Sequence, residues 1–130
     1  MKVLALDYGS ARTGVAVSDP TGTLARPLGV VERASTESGL AELARLVREE
    51  AVERVVVGLP LTLRGARGEQ AAETERFVDT LRGAVDVPVE FYDERFTTDL
   101  AQQTAGTAPE DALAAAHLLS SYLEWCAARS

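Results

Sequence analysis

Several things are scarce in this chain of 130 residues, and each scarcity excludes something. There is one cysteine, Cys126, so no internal disulfide can form; its place in the last helical stretch suits core packing better than a reactive thiol. No apolar run approaches the roughly 18 residues of a membrane span. Lys2 leads straight into strand-like sequence rather than into a cleavable apolar region, which predicts a cytoplasmic protein without a membrane partner. Internal repeats, low-complexity tracts and linker-like boundaries are absent, and so is a glycine-rich loop ending in Lys-Ser/Thr of the kind that cradles nucleotide phosphates. Positive charge is in deficit: 20 acidic residues face 13 basic ones, a net charge of −7, which argues against gripping nucleic acid by bulk electrostatics. Lysine is nearly missing, since all the basic residues but Lys2 are arginines. Arginine forks suit bidentate phosphate contacts, although genomic base composition also explains such a bias.

The composition that remains, 46% hydrophobic and 25% charged, belongs to a globular domain large enough for one core, and the expectation is a single domain over 1–130. Val3 to Leu6 and Gly14 to Val17 read as strands joined by the turn YGSAR, and ARPLGVVE (Ala25 to Glu32) as a third. From Thr36 to Ala51 the residues Leu40, Leu43, Ala44, Val47 and Ala51 recur at helical spacing, with Ser35 or Thr36 as N-cap. RVVVGLPL is a continuous β-branched run, as in a strand covered on both faces. A polar loop, a helix from about Glu69 to Leu81, the strand VPVEFYDE and a closing helix from Asp111 to Ala128 complete the order β-β-β-α-β-α-β-α. That order predicts an α/β fold, a mixed five-stranded sheet with helices on its faces.

Acidic residues sit where apolar segments end. Asp7 closes the first strand, Asp93 and Glu94 close the fifth, and Glu110 and Asp111 open the last helix. A carboxylate at the end of a buried strand is costly unless paired or coordinating a metal. Hard divalent cations want oxygen ligands, and phosphodiester hydrolysis with metal ions wants about three carboxylates from separate rigid elements. Asp7, Glu94 and Asp111 can serve if the first and fifth strands lie close and the helix packs across them. Each also has an ordinary role: Asp7 in a side-chain turn, Glu94 at a solvated strand end, Asp111 as an N-cap or first-turn acid complementing the helix dipole.

Four stretches in order, LALDYGSARTGVAVSD, VVVGLPLTLRG, FYDERFTT and DALAAAHLLSSYL, resemble the YqgF/RuvX family over Lys2 to about Leu123. The resemblance implies a ribonuclease-H-like fold and a metal-dependent endonuclease that processes the 5′ end of pre-16S rRNA. It implies Asp7, Glu94 and Asp111 as catalytic residues and as ligands of Mg²⁺ or Mn²⁺, which would be the partner of Asp7. The partners it implies are nucleic acid, precursor rRNA ahead of branched DNA, and ribosomal precursor particles, and a homodimer is compatible with it. Two alternatives stay open: a Holliday-junction resolvase acting on branched DNA, and a non-catalytic nucleic-acid-binding or assembly module. The sequence departs from the family pattern in one place. Before the helical Asp, where relatives carry a longer lysine- and glycine-rich segment, it has DLAQQTAGTAPED, without a basic residue to hold a nucleic-acid backbone.

Arg12 in the first turn and Arg95 beside Glu94 are candidate phosphate contacts; Arg95 can equally orient Glu94 or pair with Asp93. Arg64 and Arg67 read as solvated charges, and Thr97 and Thr98 as caps of the following segment. His117, the only histidine, falls six positions after Asp111, about 120° away around a helix, so the two do not share a face. Tyr122 and Trp125 are expected to anchor the last helix to the sheet.

Overall fold

The computed structural model describes residues 1–59, 68–93 and 110–129. Its strands are β1 (Val3–Asp7), β2 (Arg12–Ser18), β3 (Ala25–Glu32), β4 (Arg54–Leu59) and β5 (Val89–Asp93). Its helices are α1 (Glu37–Glu49), α2 (Glu69–Arg82) and α3 (Glu110–Ala128). Order and boundaries follow the sequence expectation to within a few residues.

The five strands form one sheet in the order β3-β2-β1-β4-β5. β1, β2 and β3 form an antiparallel meander, whereas β4 runs parallel to β1 and β5 parallel to β4. The C-terminal ends of β1, β4 and β5 and the start of β2 therefore share one edge. Asp7 lies opposite Gly14, Leu6 beside Val57, and Leu59 beside Asp93. β1 and β5 are not neighbours: β4 separates them, so their axes stand about 9.5 Å apart, two strand spacings.

Alternation along the strands creates two cores. Leu4, Leu6, Val15, Val17, Val55 and Val57 face one way and pack against Leu43 and Val47 of α1 and Phe77, Val78 and Leu81 of α2. Val3, Ala5, Ala16, Val56 and Tyr92 face the other way and pack against Ala115, Leu118, Leu119, Tyr122 and Leu123 of α3. β1 and β4 are covered on both faces, which is why they read as unbroken apolar runs.

Local chemistry sets the helix ends. Thr36 caps α1, its Oγ1 accepting from the Gly39 N–H at 3.2 Å. Arg33, at φ 48°, turns the chain from β3 into α1, and its N–H donates to the Ala11 carbonyl at 2.9 Å, tying α1 to the β1–β2 turn. Ala51, at φ 53°, ends α1 in a left-handed conformation, and the Val52 N–H reaches back to the Val47 carbonyl at 3.2 Å.

The expected anchors of α3 divide. Tyr122 is buried; its hydroxyl accepts from Arg54 Nη1 at 2.8 Å and donates to Glu90 Oε1. Trp125 is 41% exposed, so it anchors the helix to the sheet only in part. It lies in the last turns of α3, tilted against Tyr92 and Tyr122 with centroids 6.0 and 6.1 Å away, and the Arg129 guanidinium covers its ring at 4.6 Å. Cys126 packs half-buried against the same cluster, as a core residue would.

Candidate active site

The shared edge of β1, β4 and β5 is where open α/β sheets place their ligands, because parallel strands end there and their loops diverge. Asp7 is the last residue of β1 and is half-buried. Its alternation with Val3 and Ala5 puts its side chain on the α3 face. On the opposite face the next residue, Tyr8, stacks on Phe77 of α2, centroids 4.3 Å apart at 16°. That stack pins the end of the strand carrying Asp7.

Across the ladder from Asp7 stands Gly14. A Cβ on Gly14 would come 1.8 Å from the Asp111 carbonyl oxygen and 3.2 Å from the Ala112 nitrogen. The first turn of α3 thus lies directly on the backbone of β2. Directly opposed residues of an antiparallel pair project to the same face with Cβ positions about 5 Å apart, so the Asp7 Cβ lies at most about 7 Å from the Asp111 backbone. Residues 104 positions apart in the chain come to one corner because one glycine lets helix and strand touch. Sequence reasoning passed over Gly14, although a glycine inside an apolar strand is a signal of close backbone approach.

Arg12 joins the same corner. Its Nε lies 3.1 Å from Asp111 Oδ2, with the Arg12 side chain 65% and the Asp111 side chain 35% exposed. Thr13, fully buried, closes the turn by hydrogen bonds with the Gly9 N–H and carbonyl at 3.4 and 3.3 Å. Asp111 and Glu110 occupy the first turn of α3, where negative charge also complements the helix dipole. That is the ordinary role expected of Asp111 as a first-turn acid.

Asp93, half-buried, ends β5 beside Leu59, two strands from Asp7. Glu94 follows it, but Glu94, Arg95, Thr97, Thr98, Arg64 and Arg67 lie outside the described residues, as does most of the DLAQQTAGTAPED segment. His117 is half-buried and about 9 Å along the helix axis from Asp111, away from the carboxylates as its angular offset predicts. Among the described residues no three His, Cys, Asp or Glu side chains form a metal-holding group. The acids that share this corner, Asp7 and Asp111, offer hard carboxylate oxygens from two rigid elements. In kind they fit Mg²⁺ or Mn²⁺ better than a softer ion.

Two other polar features are structural. Asp19, after β2, accepts from the Thr21 hydroxyl and from the Leu24 and Thr23 N–H groups, and these bonds hold its carboxyl well below the usual carboxylate range. A cavity of about 360 Å³ opens at the opposite edge of the sheet, between Val3, Arg54, Tyr122 and Cys126. Its guanidinium is already held by Tyr122 and Glu90, at 2.8 and 3.2 Å. Burial, then the bond to Glu90, pushes the Tyr122 hydroxyl well above the usual tyrosine range.

A mixed β3-β2-β1-β4-β5 sheet with helices on both faces, and acids gathered where β1 ends and α3 begins, defines a ribonuclease-H-like protein. Two solved structures share that fold. Thermus thermophilus RuvC in complex with a Holliday junction substrate aligns at TM-score 0.64 and 20% identity over 97% of this chain and 96% of that one. The fowlpox virus resolvase bound to Holliday junction DNA aligns at TM-score 0.58 and 14% identity over 97% and 99%. The family model of RuvX, Holliday junction resolvase, matches residues 1–125, and the chain belongs to this family of phosphodiester-cleaving nucleases. Relatives named "Putative pre-16S rRNA nuclease" include one from Chloroflexus aurantiacus, 45% identical over 94% of this chain and 86% of its own length. Another, from Rubrobacter xylanophilus, is 48% identical over 95% and 92%.

Proposed function

We propose that the chain is a single-domain, cytoplasmic, metal-dependent endonuclease that cuts precursor 16S rRNA near its 5′ end. The observation that carries the reading is the seating of the Asp111 backbone on Gly14, directly across the ladder from Asp7, at the C-terminal edge of the sheet. Asp7, Glu94 and Asp111 would hold one or two Mg²⁺ or Mn²⁺ ions. Bound there, the cation supplies Lewis-acid activation of water and charge stabilisation at the phosphate. Asp7 and Asp111 contribute the negative, oxygen-rich pocket, and the Tyr8–Phe77 stack and the β2–α3 contact keep it from relaxing apart. Arg12, and Arg95 beside Glu94, hold the phosphate by charge-assisted hydrogen bonds. No helix among the described residues is long and apolar enough to cross a membrane.

Branched DNA is the second reading, favoured by the family's description as Holliday junction resolvases. The test is to incubate the protein with a pre-16S rRNA 5′ fragment and with a four-way DNA junction, with and without Mn²⁺. The reading expects Mn²⁺-dependent cutting of the RNA ahead of the junction, and loss of both cutting and Mn²⁺ binding in Asp7→Asn. Cutting of the junction alone would move the substrate to branched DNA. Binding without cutting of either would leave a non-catalytic nucleic-acid-binding module.

A further inference from the structure

The Arg12–Asp111 pair sets a guanidinium on an oxygen of a carboxylate that the proposed function gives to a metal ion. Both cannot hold that oxygen at full strength, since a divalent cation beside Arg12 repels it. The two partners are also unequally fixed. Asp111 is carried by the first turn of α3, clamped on Gly14, whereas Arg12 begins β2 with its side chain largely in solvent. Arg12 has a second acid within reach, because Glu32 of β3 stands directly opposite it in the ladder, yet the guanidinium lies on Asp111. Asp111 shares the first turn of α3 with Glu110, and a cation is worth most where negative charge is concentrated.

We propose that Arg12 is an exchangeable counter-ion: it holds Asp111 while no metal is present, yields the oxygen to a divalent cation, and then places its guanidinium on the nucleic-acid phosphate. This inference rests on the proposed function and adds to it a linkage. Metal binding frees Arg12 for phosphate, and phosphate draws Arg12 off Asp111, so each ligand strengthens the other by the same factor. The exchange is cheap, because a half-exposed pair of this kind contributes little and is readily displaced. A fully buried pair would lock the site closed.

The test is a cycle of two ligands on the intact chain, with Ca²⁺ as probe ion measured by calorimetry and a pre-16S rRNA 5′ oligonucleotide measured by fluorescence anisotropy. Wild type, Arg12→Gln and Asp7→Asn are compared, with thermal melting to confirm folding. In Arg12→Gln, Ca²⁺ should bind the free protein about 1.5- to 5-fold more tightly, the span expected of an exposed pair. In the presence of saturating RNA that advantage should vanish or reverse, and Ca²⁺ should no longer tighten RNA binding. Equal tightening with and without RNA would show that Arg12 acts only as a nearby positive charge, and overturns the proposal. Unchanged Ca²⁺ affinity also overturns it, while leaving the metal site intact if Asp7→Asn still abolishes binding. Failure of wild type to bind Ca²⁺ would remove the site itself, and the exchange with it.

Discussion

The substitution Gly14→Ala examines the contact on which the site depends. A methyl group there would sit 1.8 Å from the Asp111 carbonyl oxygen, against an ordinary separation of about 3.5 Å. The obstacle is backbone in a helix, so it cannot rotate away; the first turn of α3 must retreat by about 1.5 Å or β2 must bend. Overpacking of this kind costs about 1–3 kcal/mol. For a domain of this size that is roughly 4–12 °C in melting temperature. The retreat also carries Asp111 away from Asp7, and a misplacement of about 1 Å can reduce turnover by about 10²-fold. The assay pairs thermal unfolding with Mn²⁺ titration and RNA cleavage, and Gly29→Ala in β3 is the control, since nothing lies within 4 Å of its added carbon. Gly29→Ala should melt and cleave like wild type. If Gly14→Ala does so too, the close approach of α3 to β2 is wrong, and with it the placing of Asp111 across from Asp7.

Phe77→Ala should cost about 3–5 kcal/mol by removing the ring under Tyr8, and chemical denaturation would measure it; it should also lower Mn²⁺ affinity by loosening Asp7. Tyr122→Phe should cost about 1 kcal/mol, because Arg54 and Glu90 remain 3.2 Å apart without the hydroxyl. The raised Tyr122 value means that the unfolded chain releases its phenolic proton near pH 10 while the folded chain keeps it. Wild type should therefore lose stability as pH rises above about 10, and Tyr122→Phe should lose less, as urea melts at pH 8 and pH 11 would show. Asp19→Ala should lower the melting temperature at neutral pH and flatten its fall on acidification. The stability from Asp19 is present above the usual carboxylate value and is lost as pH drops toward its depressed one, so equal acid profiles would refute the turn's role.

Much of the fold was legible because the signals are local. The β-branched run of β4, the helical spacing of α1, the Thr36 cap and the glycine-bearing turn after Asp7 each act within a few residues. Asp7 and Asp111 stood out as candidates because acids at the junction of apolar elements and loops are conspicuous, and the structure places their backbones at one corner. Trp125 reaches Tyr92 of β5 yet stays half in solvent, which was not legible, because helical periodicity tells which residues share a face and not how much of each ring the sheet covers. Arg12 was read as a phosphate contact, and its bond to Asp111 was invisible, since no sequence rule links positions 99 apart.

By itself the sequence determined the elements, their order, the two apolar faces of the central strands and the acids at their ends, all of which follow from periodicities of two and 3.6 residues and from turn chemistry. Only the tertiary structure decided that β4 stands between β1 and β5, that α3 rests on Gly14, and that Asp111 is paired with Arg12. The physical reason is that strand order and helix docking are set by how side chains fill the space between layers, a property of pairs of elements that neither member carries alone.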